Sequence, residues 1–218
     1  MNILQVQHMR KAFGDHVIFQ DFSMDVKEGE FLGIAGKSGS GKSTLLNILG
    51  LLDQPDSGDV ILFDEKNVKP FSKKAEKLLK NHIGYLFQNF ALLDQETVYY
   101  NMAMAIEHHN IEHKKEKIAD ALARVHLEGY EKKKVCQCSG GEQQRIAIAR
   151  LLIKPCELIM ADEPTGSLDQ ENKELIFSLL KELQQMGKTL VVVSHDAELL
   201  AITDRVLTLD HRDAHKEK

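Results

Sequence analysis

The sequence predicts an α/β fold built on a mostly parallel sheet, with an N-terminal antiparallel β subdomain and an inserted α-helical subdomain. Three observations carry that expectation. A glycine-rich loop at 36–44 follows an apolar strand and leads into an apolar helix; the stretch 88–154 shows helical periodicity and no convincing strand; strand and helix patterns alternate again from Leu158 onward. At 218 residues the chain suits one sizeable core carrying a smaller insertion. It divides as a single domain into core segments 1–87 and 155–210, a helical part at 88–154 and a tail at 211–218.

Short β-type runs come first, over Ile3 to Val6, Val17 to Phe22, Phe31 to Ala35 and Val60 to Phe63. Turns between them are signalled by Gly14, by Glu28-Gly29-Glu30 and by Asp56-Ser57-Gly58. One helix interrupts these strands, starting at the glycine-rich loop, running through Thr44 to Leu49 and ending near Gly50. A further strand is expected around Ile83 to Phe87. Helices should then cover Val98 to Ile106, Lys115 to Val125 and a segment starting near Gly140, the second with Ile118, Ala121, Leu122 and Val125 on one face. Strands at Leu158 to Ala161 and Thr189 to Val193, a helix over Asn172 to Met186 and a short helix after His195 restore parallel alternation, so that the sheet closes around the insertion. The tail His211 to Lys218 is polar enough to fray.

The composition, 43% hydrophobic and 28% charged, is that of an ordinary globular protein. The longest apolar runs, such as the one before Ser194, are far too short to cross a bilayer, and the N-terminus lacks the pattern of a secretory signal, so a soluble cytoplasmic chain is expected. Three cysteines without a disulfide-rich pattern suit reduced thiols, and Cys136-x-Cys138 lacks the two-pair spacing of a zinc site. A net charge of -5 leaves no electrostatic footprint for nucleic acid. The lysine-rich stretches Lys73 to Lys80, Lys114 to Lys117 and Lys132 to Lys134 are interrupted by acids or apolar residues and read as solvated helix faces.

The strongest chemical signal is Gly36-Lys37-Ser38-Gly39-Ser40-Gly41-Lys42-Ser43-Thr44, which fits the phosphate-loop pattern of a P-loop NTPase core in the required strand-loop-helix context. Glycines let the backbone curl so that its amides face phosphate oxygens, the following helix presents its positive end, Lys42 brings a charge to the β and γ phosphates and Ser43 suits Mg2+. The bland alternative, a flexible glycine-serine loop, does not account for strand, loop, lysine, hydroxyl and helix in this order. A second element, Leu158-Ile159-Met160-Ala161-Asp162-Glu163, ends an apolar strand in two carboxylates. Asp162 suits the Mg2+ shell and Glu163 the attacking water. Two adjacent carboxylates at a strand end also suit a helix cap, although Pro164 follows them directly.

The segment Cys138-Ser139-Gly140-Gly141-Glu142-Gln143-Gln144-Arg145 resembles the signature motif of ABC ATPases. Around it Phe13 stands where the family places an adenine-stacking aromatic, Gln88 matches its Q-loop, Ser167-Leu168-Asp169 its D-loop and His195 its switch histidine. These motifs in one order cover nearly the whole chain, whereas a lone histidine or glutamine would be read as structural. Cys138 departs from the leucine or other apolar residue usual there, and Phe13 from the common tyrosine; a buried thiol still packs as a small apolar group and phenylalanine still offers a ring face. The resemblance implies an ATPase using ATP and Mg2+. Glu163, His195 and Gln88 would be catalytic, Gln88 joining Ser43 and Asp162 at the metal. Ser139, Gly140 and Gly141 would serve the nucleotide of a partner subunit in a homodimer closed by ATP, an anion site that their place at a helix start also suits.

Residues 84–93, 96–102 and 162–169 are similar to the ATPases of macrolide-export, lipoprotein-release and bacteriocin-export systems. That similarity implies a separate integral-membrane permease, a peripheral position on the inner face of the membrane and export of a peptide, lipoprotein or drug-like substrate. Phe90, Leu92, Tyr99 and Tyr100 would help form the permease groove, although each taken singly also reads as core. Rival classes fit less well: the stretch from Gln88 to Ser139 is too short for the coiled coil of a chromosome-structuring ATPase, a translation factor normally carries two cassettes, and a small P-loop kinase has no use for the signature.

Overall fold

The structure, a computed structural model, describes residues 1–166 and 169–209; the expected frayed tail lies outside the described residues. β1 (Asn2–Phe13) and β2 (His16–Lys27) form an antiparallel hairpin turning at Gly14. β1 is three times and β2 twice as long as its apolar run, because solvent-facing residues such as Gln7, His8 and Asp21 dilute the alternation. β3 (Phe31–Gly36) follows and feeds α1 (Lys42–Leu49), which ends at Gly50 as its sequence predicts.

Asp56-Ser57-Gly58 is not a turn, as expected, but the entry to β4 (Ser57–Leu62). A Cβ on Gly58 would lie 2.4 Å from His8 O, so this glycine marks a close approach of two backbones rather than a reversal. A short β5 (Glu65–Lys66) completes the antiparallel sheet, in the order β2-β1-β4-β5. A second helix also stands in this half, α2 (Lys73–Asn81), within the lysine-rich stretch; Ser72 caps it by accepting from Ala75 N, and only Ala75 and Leu78 are buried.

β6 (Ile83–Leu86) leads into the helical segment: α3 (Val98–Met104), α4 (Lys114–Arg124), two single 3-10 turns at Tyr130–Lys132 and Val135–Gln137, and α5 (Gly140–Ile153). β7 (Leu158–Asp162), α6 (Gln170–Gln185), β8 (Thr189–Val193) and α7 (Ala197–Ala201) match the expected alternation. A last strand, β9 (Arg205–Leu209), has no counterpart in the sequence expectation: it is an edge strand with only Leu209 buried, which leaves almost no pattern to read. The second sheet has the order β6-β7-β8-β3-β9 with every pairing parallel. The helical insertion thus leaves and re-enters between adjacent strands.

Alternation along these strands divides the interior in two. Leu32, Ile34, Leu158, Met160, Val191 and Val193 pack with Leu45, Leu46, Ile48 and Leu49 of α1 and with the antiparallel sheet. Phe31, Ile159, Ala161, Leu190 and Val192 face the opposite way, toward Val98, Met102, Ile118, Leu122 and the apolar side of α5. Each such buried side chain contributes about 1.5–3 kcal/mol, so α1 is held rigidly between two sheets with its N-terminus at the mouth of β3.

Candidate active site

The loop between β3 and α1 is bent back under β2. A Cβ at Gly41, where φ is 93°, would lie 2.5 Å from Ile18 Cγ2 and 2.8 Å from Phe19 Cζ, so only glycine admits this packing. Lys42 Nζ donates to Gly36 O at 2.7 Å and to Lys37 O at 3.0 Å, which places its charge over the loop. The Ser40 hydroxyl turns away from the mouth: it is buried, without a hydrogen-bond partner, behind Gly36.

Parity along β7 sends Asp162 to the α1 side, where the Ser43 hydroxyl bonds it. Burial pushes its carboxyl above the ordinary aspartate value and the charge of Glu163 adds to this, against the Ser43 bond and the Lys42 charge. Glu163 adopts φ 47°, a left-handed conformation costing a non-glycine residue about 1–2 kcal/mol. Its Oε2 lies 2.8 Å from His195 Nδ1 and accepts from His195 N at 3.4 Å and Ser194 Oγ at 3.5 Å. The carboxylate is therefore aimed rather than free to rotate. The helix-cap alternative falls away, because Glu163 N bonds Val193 O in the sheet and the cap of α6 is Asp169.

One cavity of about 600 Å3 gathers the expected residues: Phe13, Gly36, Ser38, Gly39, Gly41, Lys42, Ser43, Thr44, Gln88, Asp162, Glu163 and His195 all line it. Phe13 is half-exposed at its rim with Lys11 Nζ 4.9 Å from the ring centroid. His16 and Ile18, which sequence reasoning passed over, line it too; His16 is the hairpin partner of Phe13, a relation visible only once the β1–β2 register is known.

The signature residues do not join this cavity. Ser139 caps α5: its Oγ accepts from Glu142 N at 3.2 Å, its N donates to Glu142 Oε2 at 2.7 Å, and Tyr130 OH donates to Glu142 Oε1 at 2.6 Å. Ser139 and Gly140 are exposed, and a Cβ at Gly140 would meet nothing within 4 Å. Burial raises Glu142, but the bonds from Tyr130 and Ser139 and the Lys133 ammonium hold its carboxyl below the ordinary glutamate value. Stability from this carboxylate is thus full above the unfolded value of about 4.3 and lost as pH falls through the lower native value. Glu142→Gln, which keeps the cap, should melt below wild type near neutrality and converge with it in acid; a melting-temperature gap constant from neutral to acid pH would refute this.

Ser167 lies outside the described residues. Asp169 caps α6, accepting from Asn172 N at 2.9 Å and Asn172 Nδ2 at 2.8 Å. Arg145 reaches Asn172 Oδ1, and buried Gln144 donates to Pro164 O at 2.8 Å, so α5 is tied to the segments following Glu163. Beyond Gln88, Phe90 and Ala91 have φ of 63° and 46°, and Arg150 at the far end of α5 donates to both their carbonyls, at 2.9 and 2.7 Å. Phe90, Leu92 and Tyr99 pack against the helical core, whereas Tyr100 is exposed.

A phosphate loop, a strand-end carboxylate pair and a histidine on the second carboxylate define a nucleotide-hydrolysing P-loop site. A family model described as ABC transporter matches residues 19–166, and the chain belongs to that family. It is an ATP-binding and ATP-hydrolysing cassette. The lipoprotein-releasing system ATP-binding protein LolD of Shewanella oneidensis is 40% identical over 217 residues, covering 95% of this chain and 93% of that protein. The macrolide export ATP-binding/permease protein MacB of Vibrio parahaemolyticus is 36% identical over 95% of this chain, which spans 33% of that relative's length. The spermidine/putrescine import ATP-binding protein PotA of Mycoplasma mycoides is 37% identical over 96% of this chain and 59% of its own. Among solved structures, the dimeric cassette MJ0796 bound to ADP and Pi in a post-hydrolysis state superposes with a TM-score of 0.87 at 34% identity, covering 99% of this chain and 97% of that one. Among the described residues no helix is long and apolar enough to cross a membrane.

Proposed function

We propose that the cavity binds ATP with its phosphates on Gly36 to Thr44 and its base against Phe13, and that Glu163 polarises the attacking water while His195 contacts the γ-phosphate. The observation that carries this is the meeting of Lys42, Asp162, Glu163, His195 and Gln88 in one cavity. The donor set fits Mg2+, since Ser43 hydroxyl, Asp162 carboxylate and Gln88 amide carbonyl are hard oxygens that leave room for phosphate ligands. When bound, the ion would neutralise phosphate charge. Ser139 to Gly141 lie outside the cavity, the first two exposed, and present a helix N-terminus suited to the γ-phosphate of a second copy, in keeping with the dimeric state of the solved neighbour.

The partner is a permease, as the name of the ATP-binding/permease protein MacB suggests, and the cassette works on the inner face of its membrane. Export of a peptide, lipoprotein or drug-like molecule follows the LolD and MacB relatives rather than PotA, and no nucleic acid takes part. A groove of about 770 Å3 between α2, the segment after Gln88, α3 and α5 suits a short apolar helix of that permease. Its lining departs from the residues expected: Leu79, Ala91, Leu93 and Met104 line it, not Phe90, Leu92, Tyr99 or Tyr100. Phe71 stands at its edge, 90% exposed. Phe71→Asp should leave ATPase of the isolated chain within about twofold of wild type and weaken permease capture by about tenfold or more. Unchanged co-purification with the permease would remove the groove from the interface.

A further inference from the structure

The chain after β6 runs in a conformation its residues do not favour. Phe90 and Ala91 are consecutive non-glycine residues with left-handed backbone, two and three positions beyond Gln88. Among the described residues, local support is a pair of backbone bonds, Phe90 N to Phe87 O at 2.9 Å and Ala91 N to Asn89 O at 2.7 Å. What over-determines the segment comes from the other end of the signature helix. Arg150 Nη1 donates to Ala91 O at 2.7 Å and its Nη2 to Phe90 O at 2.9 Å, so one planar guanidinium spans two successive carbonyls. One helical turn later Lys154 Nζ donates to Leu79 O at 2.8 Å and Ile83 O at 2.6 Å, holding the entry to the same strand. β6 is bracketed by Arg150 of α5 and by Lys154, the residue that closes that helix, whose first turn is capped by Ser139.

We propose that Arg150 is a positioning residue: it holds Phe90 and Ala91 in their left-handed backbone and so fixes where Gln88 enters the nucleotide cavity, making α5 one rigid link between the signature cap and the Gln88 segment. This rests on the reading of Gln88 as a nucleotide-site residue. A lysine could reach the same carbonyls, but its donors radiate from a single nitrogen and lack the planar fork that fixes the relative orientation of the two. Ala91 also lines the permease groove, so the same guanidinium sets the wall against which a membrane partner would press.

The test combines a positional and a kinetic readout on the full chain. In Arg150→Met, amide hydrogen exchange over 87–93 should quicken by about tenfold or more while the middle of α5 is unchanged. ATP turnover should fall by about tenfold with KM little altered, since displacing a positioned group costs rate before affinity. In the Gln88→Ala background the Arg150 substitution should cost nothing further. Arg150→Lys, the safer variant for folding, should show the same pattern at about threefold. Unchanged exchange over 87–93 in either folded variant overturns the proposal, as does an equal loss of turnover with and without Gln88. A Gln88→Ala variant that hydrolyses ATP at the wild-type rate instead removes the reading of Gln88, and the exchange result then still decides whether Arg150 holds the segment.

Discussion

Glu163→Gln is expected to lower steady-state ATP hydrolysis by about 100-fold to 10,000-fold while leaving ATP affinity nearly unchanged. The structure makes this substitution unusually clean. Glutamine keeps the length of the side chain and an oxygen for the bonds from Ser194 Oγ and His195 N, so the strained backbone at φ 47° retains its support. What is lost is the basic oxygen beside the nucleotide and the charge next to Asp162. Lys42 and the loop amides, proposed to hold phosphate, are untouched. If hydrolysis reopens a dimer closed by ATP, the variant should also accumulate as that dimer, visible by size-exclusion chromatography with ATP present. A folded Glu163→Gln chain that turns over ATP within about tenfold of wild type would show that this carboxylate is not the base.

The second large effect is expected at Ser139, where a local and a distant role overlap. The cap on α5 is worth about 1 kcal/mol, or roughly 2–4 °C in melting temperature for a chain of this size. Ser139→Arg removes that cap and also places a long cation on an exposed helix end that the dimer reading presents to another copy's phosphates. Ser139→Asn separates the two roles, because asparagine caps as well as serine and adds little bulk. The arginine variant should therefore melt a few degrees lower, bind ATP at its own loop normally and lose ATP-dependent dimerisation and nearly all turnover. The asparagine variant should keep its melting temperature and part of its turnover. An arginine variant that dimerises with ATP and hydrolyses it at the wild-type rate would sink the assignment across subunits.

The parts legible in the sequence were those in which chemistry or periodicity demands a residue type at a spacing. The loop at 36–44, the carboxylates ending β7, the apolar faces of α4 and β8, and the strandless insertion all fall where their patterns place them. β9 was not legible because an edge strand buries too little to write a pattern, and α2 was obscured by a charged face that dwarfs its two buried residues. The bonds that aim the site left no trace at all. Gln144 to Pro164, Arg150 to Phe90 and Ala91, and Lys154 to Leu79 and Ile83 all end on backbone carbonyls, which every residue possesses. The left-handed turn at Phe90 and Ala91 runs against the preference of both residues, so local reasoning points away from it.

Along β7 the residues alternate between two cores: Leu158 and Met160 with α1, Ile159 and Ala161 with the helical insertion. Asp162 belongs to the even set and Glu163 comes one step beyond it. The fold therefore stores the address of its carboxylates as odd or even, in the same count that fills its interior. A single residue gained or lost within this strand would exchange the two cores and turn Asp162 away from Ser43 in one stroke. Packing acts here as an error check on chemistry: a frame shift that misplaces the carboxylate also breaks the core, so a misaimed site cannot persist in an otherwise sound molecule.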